Sequence, residues 1–298
     1  MGLNKIRLIF YMILGIVFII GFGACSMQAE TSQPDVLRVS LGAGTSDSDE
    51  LHRSFMPLQR YLEQELNINV EWVPVNSYQE QLEKFHRNEL DLVLFGGYAF
   101  IKAQLRDNAD PLVMRDIDFQ FTSYFLVAAD NKATKISELK GQSFSFGSAL
   151  STSGHIMPRF FLSTQDIVPE TFFSQVDYSG AHDITARWVE EKRVDVGAVN
   201  SLTIDQMFKE KKLSKHKVKI LWKTPPYPDY VWTARRGLPE ILKAKIIEAF
   251  VKLSPDNKQH RILLQLTGAN YYFPANADDF EPIRKIALQL EMLAANDE

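Results

Sequence analysis

A chain of 298 residues with 45% hydrophobic residues, 23% charged residues and a formal net charge of −4 has ordinary globular composition and is long enough for two lobes with separate cores. The acidic balance argues against nucleic acid as a partner, because phosphate backbones call for a basic face. It also means that any anion site must work through local dipoles and hydroxyl groups, not through a broad positive field.

The chain opens with Lys5 and Arg7, then an apolar run from Leu8 to Ala24, then the single cysteine, Cys25. A basic start, an apolar stretch and the small residues Gly23 and Ala24 make residues 1–24 a secretory signal. Losing Lys5 and Arg7 with it takes the net charge to −6. Small residues directly before a cysteine resemble a bacterial lipoprotein signal, cleaved to leave a lipidated Cys25, although Phe22 stands where that pattern usually has an aliphatic residue. An uncleaved anchor is the other reading, because the apolar run is near the lower length limit of a spanning helix. Residues 25–35 are polar and aperiodic and read as a flexible tether. With no second cysteine the exported domain has no disulfide and depends on its core.

Alternation predicts a first strand over Val36–Leu41, followed by a glycine-rich loop over residues 42–47. Leu51, Phe55, Leu58, Leu62 and Leu66 recur at helical spacing and predict one helix over residues 50–66. A strand at 69–73, a helix at 77–88 and a buried-type strand at 90–95 follow, and Gly96-Gly97-Tyr98 opens another helix. Strands alternating with helices predict an α/β fold with a parallel sheet, whose ligands sit beyond the carboxyl ends of its strands. Residues 42–46 and 96–98 fall there, which makes Tyr98 a candidate cleft residue, although Phe95 and Phe100 beside it also suit packing. A longer strand pair is read at 112–114 and 121–129.

The βα pattern restarts at residue 144, with strands at 144–147, 175–178, 195–199 and 218–222 and helices at 151–161, 180–192 and 202–209. A return strand at 230–234 leads into helices at 239–253, 256–266 and 278–292. Two α/β units joined by two extended segments predict a two-lobed clamshell, with lobe one at 36–125 and 232–298 and lobe two at 126–231. A cleft of that kind suits a small molecule and can close about a hinge.

The segment that points most directly to a ligand is Ser151-Thr152-Ser153-Gly154, between a strand and an apolar helical run. Three hydroxyls and a glycine at a helix start meet unpaired N–H groups and the positive end of the helix dipole, a setting that favours a tetrahedral oxyanion. The plainer alternative is an N-cap. A proline in a helix interior breaks a hydrogen bond, so the helix is expected to start near His155 with Pro158 in its first turn, or to kink there.

Other chemistries find no pattern. The six histidines (His52, His86, His155, His182, His216 and His260) show no metal-ligand spacing. No phosphate-binding glycine loop, dinucleotide fingerprint or nucleophile elbow is present, so no cofactor, metal or catalytic residue is expected.

With Ile136–Gly141, Gly180-Ala181-His182-Asp183, residues 91–98 and residues 195–199 beside that hydroxyl loop, the chain resembles the phosphonate/phosphate/phosphite substrate-binding proteins of ABC importers over nearly all its mature length. The resemblance implies the type II periplasmic-binding-protein fold and a function in capturing a phosphorus oxyanion for a membrane permease. A sensor subunit presenting its liganded state to a membrane kinase or cyclase is the alternative. The resemblance further implies that Ser151, Thr152 and Ser153 bind the oxyanion, with Gly154 after them letting the backbone approach it closely, assisted by Tyr78, Tyr124, His182 and, more loosely, Asp229. Members that bind aminoalkylphosphonates carry an acid shortly after the strand at 195–199. Here Leu202 stands in that place, which disfavours an ammonium-bearing ligand because a buried ammonium without a carboxylate is costly.

Overall fold

The computed structural model describes residues 34–293 apart from residue 43 and residues 45–47. The predicted signal and Cys25 lie outside the described residues, as does the tether up to residue 33. In chain order the strands are β1 (Val36–Ser40), β2 (Asn69–Trp72), β3 (Leu92–Phe95), β4 (Asp110–Arg115), β5 (Ser123–Ala128), β6 (Ser143–Phe146), β7 (Gln175–Tyr178), β8 (Val196–Asn200), β9 (Val218–Lys223), β10 (Val231–Ala234) and β11 (Tyr272–Pro274). The α-helices are α1 (Ser48–Ser54), α2 (Met56–Leu66), α3 (Tyr78–His86), α4 (Gly97–Asp107), α5 (Met157–Ser163), α6 (Pro169–Phe172), α7 (His182–Glu190), α8 (Ser201–Lys209), α9 (Glu240–Val251), α10 (Lys258–Thr267) and α11 (Glu281–Gln289).

The strands form two sheets, ordered β11-β4-β10-β3-β1-β2 and β7-β6-β8-β5-β9. Each has a parallel half, β1 with β2 and β3 in one and β6 with β7 and β8 in the other. Each is completed by antiparallel strands, β10 beside β3 and β4, and β5 beside β8 and β9. The sheets are therefore mixed, where the βα pattern predicts parallel pairing throughout. A strand that enters from the other lobe has no crossover helix to reverse its direction, so it pairs antiparallel.

The predicted pairing of 112–114 with 121–129 does not form, because β4 and β5 belong to different sheets. Between them the chain crosses lobes through residues 116–122, and it returns through residues 224–230. All of β5 pairs in the second sheet from Ser123 onward, so the crossing comes slightly earlier than residue 125. The predicted helix over residues 50–66 is two helices, divided at Phe55, whose backbone (φ −91°, ψ 5°) caps α2.

Leu37, Val39, Leu58, Leu62, Trp232 and Phe250 fill one side of the first sheet. In the second, Phe125, Phe144, Phe146 and Leu162 fill one face and Leu126, Ala186, Val189 and Ile204 the other. A further apolar cluster joins the lobes, bringing Ile156, Met157 and Tyr227 against Phe95, Tyr98, Phe280 and Ile283.

The two crossing segments bond to each other, Phe121 N–H to the Tyr227 carbonyl (2.9 Å) and Tyr227 N–H to the Phe121 carbonyl (3.0 Å). Arg115 anchors them. Its guanidinium grips the buried Asp118 at 2.6 and 2.7 Å and donates to the Thr267 carbonyl at 2.7 Å. The Asp118 carbonyl accepts the Asp229 N–H at 2.9 Å, which fixes the loop that carries Asp229 into the cleft.

Candidate ligand-binding site

The hydroxyl loop takes its shape from three local rules. Ser151 caps the turn, its hydroxyl accepting from Gly154 N–H at 2.9 Å. Residues Thr152–Ile156 then form a π-type turn, with Ile156 N–H bonded to the Ser151 carbonyl and Met157 N–H to the Thr152 carbonyl. Pro158 sits in the first turn of α5 and has no N–H to offer the Gly154 carbonyl. That carbonyl instead accepts Gly147 N–H at 2.9 Å and draws the loop closed. The sequence-based helix start near His155 therefore becomes a wide turn followed by α5.

From β5, the Ser123 hydroxyl donates to the Ser153 carbonyl at 2.6 Å. Its proton is thus committed, and the Tyr227 hydroxyl 2.5 Å away is the donor in their mutual bond. Ser151, Thr152 and Ser153 are all buried.

Lobe one meets this loop with the amino end of α4. Tyr98 N–H donates to the Thr152 hydroxyl at 3.0 Å, and Gly97 N–H donates to Asp229 Oδ1 at 3.0 Å. The helix start that the sequence marks by two glycines thus contributes backbone donors, as unpaired first-turn amides do. The Tyr98 side chain points elsewhere, its hydroxyl donating to the Met292 carbonyl at 2.7 Å.

Tyr78, the first residue of α3, reaches across to His182, the first residue of α7, with 3.3 Å between its hydroxyl and Nε2. His182 Nδ1 accepts the Asn200 N–H at 3.2 Å. Its proton therefore sits on Nε2 and faces the Tyr78 oxygen. Burial holds His182 well below the usual histidine range, at about 4, so it carries no charge at neutral pH. Both ring nitrogens are engaged, and the role this geometry gives His182 is to orient Tyr78. Burial pushes the Tyr78 phenol up to about 12, which keeps it a neutral donor, with Ser151 and Tyr230 as its other polar neighbours. The His182 ring also covers Gly154, where a Cβ would stand 2.8 Å from Cε1 and 3.0 Å from the Ser151 hydroxyl.

Asp229 is the one carboxyl in this group of contacts. It is buried, and burial raises its pKa to about 7, against the opposing pull of the Gly97 N–H. Its Oδ2 and the Ser153 hydroxyl are buried with no hydrogen-bond partner. No lysine or arginine side chain takes part in any of these contacts. Arg115 lies 5.6 Å over the Tyr230 ring, and its charge is held by Asp118.

Tyr124 is not in this group. Strand side chains alternate in direction, so Ser123 faces the loop while the Tyr124 hydroxyl meets Asp205 at 3.1 Å. The period-two alternation of β5 is the sequence signal that points to Ser123 instead of Tyr124. Asn200, Tyr227 and Tyr230 also lie in this group without a local sequence signal. Asn200 donates from its side chain to the Tyr230 hydroxyl at 2.9 Å and caps α8 through Thr203 N–H. Leu202 packs with the interlobe apolar cluster, and Asp205 is bonded by Tyr124.

This architecture and this loop belong to a defined family. The family described as "ABC transporter, phosphonate, periplasmic substrate-binding protein" matches residues 43–280. The chain belongs to that family. It is 30% identical over 278 residues, covering 88% of this chain and 92% of the relative, to a Prochlorococcus marinus protein named "Probable ABC transporter phosphite binding protein PhnD1". It is 25% identical over 256 residues, 83% of this chain and 75% of the relative, to the phosphonates-binding periplasmic protein of Escherichia coli. Among solved structures, PhnD1 of Prochlorococcus marinus in complex with methylphosphonate superposes with a TM-score of 0.81 at 29% identity, covering 88% of this chain and all of that one. The family is periplasmic, and its members are the substrate-binding components of transporters.

Proposed function

We propose that the protein captures a small phosphorus oxyanion (phosphate, phosphite or an alkylphosphonate) between its lobes and delivers it to the permease of an ABC importer. The observation that carries this reading is the pairing of the unpartnered Ser153 hydroxyl with the unpartnered Asp229 Oδ2 in one buried, hydroxyl-lined site. Hydroxyls and backbone N–H groups suit the unprotonated oxygens of the ligand. A buried carboxyl with a pKa near 7 suits an oxygen that shares a proton. Sulfate has no such proton at neutral pH and would face Asp229 as a bare like charge.

An aminoalkyl substituent fits poorly. Leu202 packs in an apolar cluster and Asp205 is held by Tyr124, so neither supplies a free carboxylate for an ammonium. The reading is of a binding protein without catalysis. His155 is bonded at both nitrogens by Ala149 and Arg159, and His182 by Asn200 and Tyr78, so neither is a base for Ser153. Residues 1–24 and Cys25 are proposed to export the chain and anchor it by lipid to the membrane beside its permease.

A thermal-shift panel tests the ligand class. A ligand at about 100 times its Kd adds about 2.7 kcal/mol, a rise of several degrees in Tm. The expected result is a rise with methylphosphonate, phosphite or phosphate and none with sulfate. A rise with sulfate alone, or with none of the four, would sink the reading.

A further inference from the structure

Behind the hydroxyl loop lies a buried group that touches none of the lobe-one contacts described above. His155 is 2% exposed, and its Nε2 is approached by the Arg159 Nε at 3.1 Å and the Tyr178 hydroxyl at 3.0 Å. A guanidinium can only donate, so Nε2 is an acceptor and the ring proton sits on Nδ1. Nδ1 lies 2.8 Å from the Ala149 carbonyl and donates to it. This bond ties the entry of the loop to its exit, across Ser151, Thr152 and Ser153.

Arg159 is itself fixed, by two bonds to Glu170 at 2.6 and 3.0 Å and by its place 4.9 Å over the Phe146 ring. The His155 ring meets Phe146 and Tyr178 edge-on, with centroids 4.8 and 5.0 Å apart. Every partner (Phe146, Ala149, Arg159, Glu170, Tyr178) belongs to lobe two. Burial holds His155 at about 4, so the bond pattern is the same at any physiological pH.

We infer that His155 is a positioning residue that keeps the Ser151–Gly154 loop in its anion-accepting shape within lobe two, before lobe one arrives. This rests on the proposed function of that loop. It makes lobe two the surface on which the oxyanion lands first, with the Gly97 and Tyr98 amides and Tyr78 joining when the lobes meet. Preorganisation of this kind removes an ordering cost from the encounter and shows in the association rate.

The test is stopped-flow binding of methylphosphonate and phosphite, followed by tryptophan fluorescence, on the full chain and its His155→Phe, His155→Asn and His155→Gln variants. Phe keeps the ring packing without the Nδ1–H donor. Asn places an amide N–H close to the Nδ1 position, and Gln places its amide close to Nε2. The expected result is an association rate about tenfold lower for His155→Phe with dissociation within about threefold of wild type, and recovery of most of that loss by Asn but not by Gln. Wild-type association in the Phe variant, a loss confined to dissociation, or equal rates for Asn and Gln would overturn it. If His155→Phe does not fold, the Asn and Gln pair decides alone. A wild-type chain that binds no phosphorus oxyanion defeats the proposed function and this inference together, whereas a binding wild type with equal variants defeats only the inference.

Discussion

The two walls of the site are built differently. The lobe-two wall is made of side-chain hydroxyls on a loop braced from behind by His155 and Ser123, all within one lobe. The lobe-one wall is mainly backbone, the N–H groups of Gly97 and Tyr98, with Tyr78 as its side-chain donor. The braced wall supplies shape and holds it at little further entropic cost. The backbone wall supplies donors that cannot be titrated and that reach the loop only when the lobes are together. Affinity should therefore be most sensitive to the shape of the lobe-two loop, and discrimination to Asp229, which lies between the walls.

The largest effect is expected within the lobe-two wall, where Gly154 lies against His182. Gly154→Val would drive a side chain into the His182 ring and the Ser151 hydroxyl. We expect Kd for methylphosphonate to rise about 100-fold or more, roughly 2.7 kcal/mol, measured by calorimetry with the fold checked by circular dichroism. Near-normal binding would show that the loop yields and that the braced-wall account is wrong.

Asp229→Asn should separate discrimination from stability. Burial raises the Asp229 pKa above its unfolded value, so its ionisation weakens the closed, ligand-free fold progressively as pH rises from about 4 to about 7, and by a constant amount above that. The Asn variant should therefore gain a few degrees in Tm at pH 8 and little at pH 4, while its preference for phosphite over sulfate falls about tenfold or more. Equal Tm gains at both pH values would place the stabilisation outside Asp229 ionisation.

Smaller effects test the backbone wall. Tyr78→Phe removes one donor and leaves the His182 Nε2–H without its acceptor, so Kd should rise about tenfold. Tyr98→Phe should leave Kd within about twofold, because only its backbone N–H faces the site and its hydroxyl is spent on Met292. A large loss from Tyr98→Phe would mean that the side chain matters to the site through α4.

The sequence made the hydroxyl loop and the start of α7 legible because Ser-Thr-Ser-Gly, His182 and Pro158 carry local rules of capping, dipole and ring geometry. Gly96 and Gly97 are legible as a strand-end feature, but that the amino end of α4 contributes the N–H groups of Gly97 and Tyr98 is not, since backbone donors leave no mark in residue identity. Tyr124 shows the converse, a donor-rich side chain that strand alternation sends to the face opposite Ser123, toward Asp205. The destinations of β4 and β5 were invisible for a different reason. Two adjacent extended segments look alike whether they pair with each other or with different sheets, and only tertiary packing decides.

The central claim is a site without a positive side chain among its contacts, in which Asp229 and a phosphorus oxyanion hold one proton between them. Calorimetry of methylphosphonate at pH 8.5 in two buffers of different ionisation enthalpy measures that proton directly. At this pH both the carboxyl and the ligand are mostly deprotonated before they meet. The account predicts uptake of nearly one proton per ligand bound by the wild-type chain, and little uptake by Asp229→Asn. Tight binding with no proton taken up by the wild type would contradict it.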